Sequence, residues 1–327
     1  MRFTQSEKLE IIQLVEQSEL GVNRTLKELG IHKSTFYNWY NRYLKSGVDG
    51  LAPKLVERQH YWNKIPKEVK SKVLDLALDM PDLSARELAC KMTDTQRYFI
   101  SESSVYRILK KAGLITSPAF ILMRAADKFS VPTCRVNEMW QTDFTYMKVT
   151  GWGWYYLSTV LDDYSRFIIA WELCSTMKST DVTQTLDLAL ETAKIETGVM
   201  PKLLSDNGPC YIGNELADYL DDQDMKHIKG KPLHPQTQGK IERYHRTMKN
   251  IIKLEHYYSP DELRYRLKEF VEYYNHHRYH ESLDNLTPAD IYFGRKEKRL
   301  REREQIKRTT INRRKRNYYL ITQNSLT

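Results

Sequence analysis

Cysteine is scarce in this chain: only Cys90, Cys134, Cys174 and Cys210 occur, spaced 44, 40 and 36 residues apart. No Cys-x-x-Cys pair is present, which argues against a zinc ribbon or a disulfide framework. Free thiols in a reducing compartment are the expectation. Long apolar runs are also missing. Nothing approaches 18 consecutive apolar residues, so no membrane-spanning helix is expected. Met1-Arg2-Phe3-Thr4-Gln5 leads into no apolar segment of the secretory kind. These absences favour a cytoplasmic, intracellular protein with no membrane partner.

What is present is length, apolar content and positive charge. The 327 residues suit two or three domains, and 41% hydrophobic composition can fill their cores. Lysine and arginine number 51 against 42 acidic residues, a net charge of +9 that favours a polyanionic partner. The excess is local. From Arg295 to Arg316 the chain holds 12 basic residues against Glu297, Glu302 and Glu304. Such a tail is either a solvated charged helix or a contact to a nucleic-acid backbone, and the sign bias favours the contact.

Two helical units precede the rest, expected over 1–50 and 63–116. In the first, Thr4-Gln5-Ser6-Glu7 has the form of a capping box opening a helix. Ile11, Ile12, Leu14 and Val15 supply its apolar stripe. A short second helix carries Leu26 and Leu29 and stops at Gly30, a residue suited to a left-handed cap. A third begins at Lys33, with Phe36, Trp39 and Tyr40 inward and Lys33, Ser34, Tyr37 and Asn38 outward, the arrangement of a helix-turn-helix reader. Residues 46 to 63 read as a linker, broken by Gly47, Gly50 and Pro53. The second unit repeats the theme. Pro66 opens it, Ser84-Ala85-Arg86-Glu87 is another capping box, and the helix after Ser101 buries Val105, Ile108 and Leu109. That helix would present Ser103, Tyr106, Arg107, Lys110 and Lys111. One such bundle is common in proteins with no DNA role; two in succession within a basic chain point to double-stranded DNA.

From about 136 the texture changes. Met139–Met147, Trp154–Leu161 and Phe167–Trp171 alternate as strands. A helix over 179–195, a short strand Lys202–Ser205, a helix over 213–223, a strand over 225–228 and helices over 239–254 and 260–277 follow. Three antiparallel strands, then alternating helix and strand, make a mixed sheet covered on both faces. The fold class is therefore multidomain: all-α helix-turn-helix domains, then an α/β core over 134–294 and a basic tail over 295–327.

Three acidic residues stand at unusual places. Asp143 lies within a strand, Asp206 follows a strand and precedes Asn207-Gly208-Pro209, and Glu242 opens a helix. A carboxylate inside a strand is out of place unless paired, coordinating or exposed. Three converging carboxylates repel one another, and a hard divalent cation relieves that repulsion. Asp162 and Asp163, in a turn, read as capping residues. His276, His277 and His280 lack the glutamate of a helical zinc motif and read as core or DNA-backbone residues.

Here the sequence resembles the retroviral-integrase superfamily, and within it the insertion-sequence transposases. The resemblance rests on Trp140-Gln141-Thr142-Asp143, Ser205-Asp206-Asn207-Gly208 and His234-Pro235-Gln236-Thr237-Gln238-Gly239-Lys240-Ile241-Glu242-Arg243. Thirty-five residues separate Asp206 from Glu242, and Lys249 follows seven residues later. Tyr273-Tyr274-Asn275-His276-His277-Arg278 and Leu286-Thr287-Pro288-Ala289 extend the likeness to about 295.

The resemblance implies an RNase H-like core in which Asp143, Asp206 and Glu242 are catalytic and hold two Mg²⁺ or Mn²⁺ ions. It also implies cleavage at the 3′ ends of a mobile element and strand transfer into target DNA. Homo-multimers would hold two element ends, in a bacterial-type, nucleoid-associated setting. Lys240, Arg243, Arg246 and Lys249 would meet DNA, with a solvated helix face as the plain alternative. No His-His-Cys-Cys zinc unit precedes the core; the helix-turn-helix pair stands in its place, which favours a transposase over a viral integrase. A non-catalytic DNA-binding regulator and a structure-specific nuclease on the same fold are the competing readings.

Overall fold

The computed structural model describes residues 3–18, 20–52, 61–115, 133–195, 198–230 and 239–324. The His234–Gln238 part of the motif lies outside them. The chain divides into two compact units, Met1–Trp62 and Asn63–Thr327.

The first unit packs α1 (Gln5–Gln17), α2 (Val22–Glu28) and α3 (Lys33–Ser46), closed by a 3-10 turn at Gly47–Leu51. Thr4 and Glu7 form the expected reciprocal cap of α1. Gly30 takes φ +66°, a conformation that a side chain would strain, and so ends α2 and sets the turn into α3. Ile11, Ile12, Val15, Leu26, Phe36 and Leu51 fill the core. Leu14 and Leu29 depart from expectation and are exposed. Each lies three residues past a buried one, Ile11 and Leu26, so helical spacing alone does not bring a side chain into this core.

The second unit begins with α4 (Lys67–Asp79), α5 (Ala85–Gln96) and α6 (Glu102–Lys111). Ser84 and Glu87 cap α5 reciprocally. Val73, Leu88, Met92, Ile100, Val105 and Leu109 form this bundle's core.

The sheet follows. β1 (Met139–Val149), β2 (Gly153–Asp162) and β3 (Ile168–Cys174) form an antiparallel meander. After α7 (Ser179–Ala193), β4 (Lys202–Ser205) returns parallel to β1. Next come α8 (Pro209–Ile212), α9 (Asn214–Asp222) and β5 (His227–Lys229), which pairs parallel to β4. The order is β3-β2-β1-β4-β5. Two cores lie on opposite faces of this sheet. On one, α10 (Gly239–Ile252) and α11 (Pro260–His276) bury Ile241, Tyr244, Met248, Leu267 and Phe270 against Met147, Leu157 and Leu161. On the other, α7 and α9 bury Val182, Leu186, Leu216 and Leu220 against Trp140, Val160 and Leu203. The fold class expected from the sequence is the one observed: helical units, then a mixed sheet with helices on both sides.

The Tyr-Tyr-Asn and Leu-Thr-Pro-Ala segments serve this packing. Asn275 clamps β3 to α11, its Oδ1 accepting from the Ile168 amide at 2.9 Å while its Nδ2 donates to the Ile168 carbonyl at 2.9 Å. Thr287 caps α12 (Pro288–Tyr292) by accepting from the Asp290 amide.

The basic tail is α13 (Lys296–Asn324), a 29-residue helix. Part of its charge is spent within the chain. Arg303 grips Asp94 of α5 through two bonds, at 2.8 and 2.7 Å. Arg314 donates to the Tyr98 hydroxyl at 2.8 Å and the Phe99 carbonyl at 2.9 Å. Tyr279 donates to Asp94 at 2.8 Å, and Arg86 pairs with both Glu102 and Glu281. The second helical bundle is thereby tied to α13 and to the loop before α12. No helix among the described residues is long and apolar enough to cross a membrane.

Candidate active site

Asp143 is placed by β1. Side chains alternate along a strand, so Asp143 shares a face with Gln141 and Met147, the face covered by α10. Asp206 is placed by β4. In the parallel ladder Gln141 is the last partner on β1, opposite Leu204, so Asp143 lies two residues beyond the paired stretch and Asp206 follows directly on the end of β4 at Ser205. Adjoining strands lie about 4.8 Å apart. The turn after β4 is held firmly. Ser205 Oγ bonds His227 Nε2 at 2.8 Å, and Asn207 Nδ2 donates to the Gly230 carbonyl at 2.8 Å. The Gly208 amide donates to Asp206 Oδ1 at 2.9 Å, and a Cβ at position 208 would meet that same oxygen at 2.9 Å.

Two carboxylates in adjoining places leave an electrostatic mark on their neighbours. Burial pushes the Cys210 thiol up to about 11, with Asp206 and then Asp143 adding to it. Tyr211 is raised well above its usual range, first by burial and then by Asp143. Both groups thus stay protonated beneath the acidic pair.

Glu242 arrives on α10, whose start is pinned to β1 where the Ile241 amide donates to Gln141 Oε1 at 3.1 Å. Three residues past Glu242, His245 is buried, with Nδ1 3.3 Å from Asp143 Oδ2 and Nε2 3.4 Å from Thr159 Oγ1. Thr159 is the β2 partner of Asp143. Glu242 itself is exposed. Among the described residues, no group of three or more His, Cys, Asp or Glu side chains stands close enough to hold one ion. The structure gathers two aspartates and the helix that bears the glutamate, rather than a closed three-carboxylate cluster.

The expected DNA-contacting residues divide. Lys33, Ser34, Tyr37 and Asn38 lie exposed along α3, and Ser103, Tyr106 and Arg107 along α6. Arg243 and Arg246 are exposed on α10. Lys249 is half-buried, with its Nζ 4.6 Å from the Tyr146 ring centroid. Its pKa is lowered by burial and by Lys253, against a smaller opposing effect of Asp143. Lys240 departs from the expectation. Its Nζ turns inward, donating to the Asp163 carbonyl at 2.8 Å and to Asp163 Oδ2 at 2.7 Å.

Asp163 is likewise more than a turn residue. It is buried, and it accepts from Gln141 Nε2 at 2.7 Å and Thr133 Oγ1 at 2.6 Å as well as from Lys240. A Gln141–Asp163–Lys240 relay therefore braces β1 against the start of α10, between the two elements that carry Asp143 and Glu242. Sequence reading missed this relay because its members lie 22 and 77 residues apart. His245 had a local signal, since it sits one helical turn from Glu242. Asp162 does act as the expected cap, accepting from the Ser165 amide and hydroxyl.

Comparison with known proteins adds independent findings. Models described as Integrase core domain match residues 134–235 and 223–288. Models described as Homeodomain-like domain match residues 4–52 and 35–109. Among curated relatives, the Gag-Pro-Pol polyprotein of squirrel monkey retrovirus is 31% identical over 116 residues, 36% of this chain and 6% of the polyprotein. That of mouse mammary tumor virus is 28% identical over 129 residues, 38% of this chain and 7% of the polyprotein. The chain thus spans under a tenth of the length of these relatives. Among solved structures, the HTLV-2 integrase catalytic core domain in complex with magnesium is 19% identical, covering 48% of this chain and 97% of that one, at a TM-score of 0.40. The simian T-cell lymphotropic virus intasome with PP2A regulatory subunit B56 gamma is 17% identical, covering 67% and 74%, at a TM-score of 0.43.

Proposed function

We propose that this chain, which carries an integrase core domain behind homeodomain-like helical units, is a DNA transposase. In this reading it binds the ends of its mobile element, cuts at their 3′ ends and joins them to target DNA. The observation that carries the proposal is that β4, whose end is followed at once by Asp206, pairs parallel with the part of β1 just before Asp143, with α10 fastened beside β1 through Gln141 and His245.

The donors suit a hard divalent cation. Carboxylate oxygens at neighbouring positions repel unless a cation lies between them, and the nearby Cys210 thiol stays protonated, so no soft thiolate competes. Asp143, Asp206 and Glu242 would hold Mg²⁺ or Mn²⁺, two ions in the full arrangement. Bound there, the ions would supply charge stabilisation at the attacking and leaving oxygens of an in-line displacement.

The remaining work falls to side chains. His245 and Thr159 fix Asp143 in one orientation. Arg243, Arg246 and Lys249 would track the phosphates of the bound end, and the exposed rows of α3 and α6 would enter or flank the grooves of the duplex. In the first step water attacks a phosphodiester and the element's 3′-hydroxyl leaves. In the second that hydroxyl attacks a target phosphate and a target 3′-hydroxyl leaves. The bonds balance without a covalent enzyme intermediate. Joining two ends at once calls for a homo-multimer, and the setting is the cytoplasm around the nucleoid.

Incubation of a labelled duplex from the DNA flanking the coding sequence with Mg²⁺ tests this. Nicked and then joined products are expected. Asp143→Asn, Asp206→Asn and Glu242→Gln should each lower product formation by roughly a hundredfold or more, beyond the usual loss for an outer-shell change. Full activity in any of the three would overturn the assignment.

A further inference from the structure

β1 runs on past Asp143, and the residues there are unusual for a sheet. Tyr146 is 56% exposed and Trp154, on the neighbouring strand, is 53% exposed. Their rings meet edge to face with centroids 5.5 Å apart. Lys148 is the direct cross-strand partner of Trp154. Trp152, in the turn that joins the two strands, is 62% exposed. Tyr146 and Trp154 share one side of the hairpin, and a hollow of about 280 Å³ lies beside them, lined also by Lys148, Lys253, His256 and Tyr257. Glu255 lines the same hollow and shares Arg266 with Glu269, and Lys148, Lys249 and Lys253 outnumber it. The charge around the aromatic pair is therefore positive on balance.

Position adds to composition. Tyr146 is three residues along β1 from Asp143, roughly 10 Å at the usual rise per strand residue, and alternation starts its side chain on the opposite face of the strand. Among the described residues β4 pairs with β1 only over Met139–Gln141, so beyond that stretch the β4 side of β1 is an open edge. Lys249 lies over its ring. At about 3.4 Å of rise per nucleotide, a strand whose phosphate sits at the aspartates and which passes the open edge of β1, where Lys249 reaches the Tyr146 ring, would bring a base about three nucleotides away onto these rings. An exposed indole and phenol with lysines on either side match the stacking platform of proteins that hold unpaired nucleotides: every base has a face to stack, and every backbone has phosphates to pair.

We infer that Tyr146, Trp154 and the lysines beside them form a binding site for unpaired nucleotides of DNA, next to the candidate active site. The inference rests on the reading of the chain as a DNA-processing enzyme, and it adds a substrate requirement: the end must be frayed for its bases to reach the platform. Stacking selects an opened strand over a closed duplex whatever its sequence, because a paired base keeps both faces inside the helix.

Binding measured without catalysis separates this inference from the broader reading. Full-length protein in EDTA is titrated with two fluorescent oligonucleotide duplexes of identical sequence, one fully paired and one ending in a short unpaired fork. The forked duplex is expected to bind about tenfold more tightly. Trp154→Ala should shrink that preference to under about twofold, Trp154→Phe should keep most of it, and binding of the paired duplex should stay unchanged in both. Because Trp154 is half in solvent, the fold should survive, as unchanged circular dichroism would verify. An equal preference in the Trp154→Ala protein, or none in the wild type, overturns the platform while leaving duplex binding intact. A change of sedimentation with the preference unaltered would make the patch a contact between copies and would overturn it too. Failure to bind either duplex would remove the broader reading along with it.

Discussion

The two helical bundles begin from the same pattern and end in different company. Each opens a helix on a capping box, Thr4 with Glu7 and Ser84 with Glu87, and each carries a polar third helix. The first closes on itself within Met1–Trp62. The second belongs to the larger unit, where Asp94, Tyr98 and Phe99 are held by Arg303, Arg314 and Thr310 of α13. Capping and apolar periodicity therefore specify a bundle, but they do not say what else is built into the same compact unit. That depends on a few charged side chains whose partners lie some 200 residues away.

Breaking the Arg303–Asp94 pair should have the largest effect on this contrast. The pair is mostly buried, and Arg303→Ala leaves Asp94 without its main counter-charge. The larger unit should lose about 3 kcal/mol, read as a lower urea midpoint, while Met1–Trp62 holds its own. An unchanged midpoint would make the seam incidental.

Acid should discriminate next. His280 lies beside the seam, against the Tyr274 ring, and its pKa falls from 6.5 to about 3 because burial, then Arg166, Arg278 and Arg243, disfavour the cation. The unfolded chain takes up this proton below about pH 6.5 and the folded chain does not until about pH 3, so stability falls as pH drops through that window. The slope for one such group is up to about 1.4 kcal/mol per pH unit. Thermal melts at about pH 6 and about pH 5 should show the loss in the larger unit, and His280→Phe should flatten it.

The caps themselves give the smallest effect. Thr4→Ala and Ser84→Ala should each cost about 1 kcal/mol. Amide hydrogen exchange should speed up in α1 for the first and in α5 for the second, each leaving the other bundle untouched. Spread of either effect across Trp62 would show that the two units open together.

The same division between local and distant governs what could be read from the chain. Gly30, Thr4, Ser84 and the alternation of β1 to β3 are signals carried within a few residues, and the structure has them where the sequence implies. Asp163 looked like one more turn residue because Gln141 and Lys240, which give it its role, are remote in sequence. Arg303 and Arg314 looked free for DNA for the same reason. Within the candidate site, the positions of Asp143 and Asp206 could be named from their places in and after strands. Their adjacency is a matter of parallel register, which no local pattern encodes. The exposed ring pair of Tyr146 and Trp154 passed as ordinary strand content, since aromatic residues are common in sheets.

Gly208 carries a consequence of its own. By donating its amide to one oxygen of Asp206, it holds that carboxylate like a key half-turned in a lock, one oxygen committed to the backbone and its twin left to face whatever approaches. Any larger residue there would push its first carbon against the committed oxygen and swing both away. The acidity of this corner is written at position 206, but its aim is set two residues later, by a side chain that is only hydrogen.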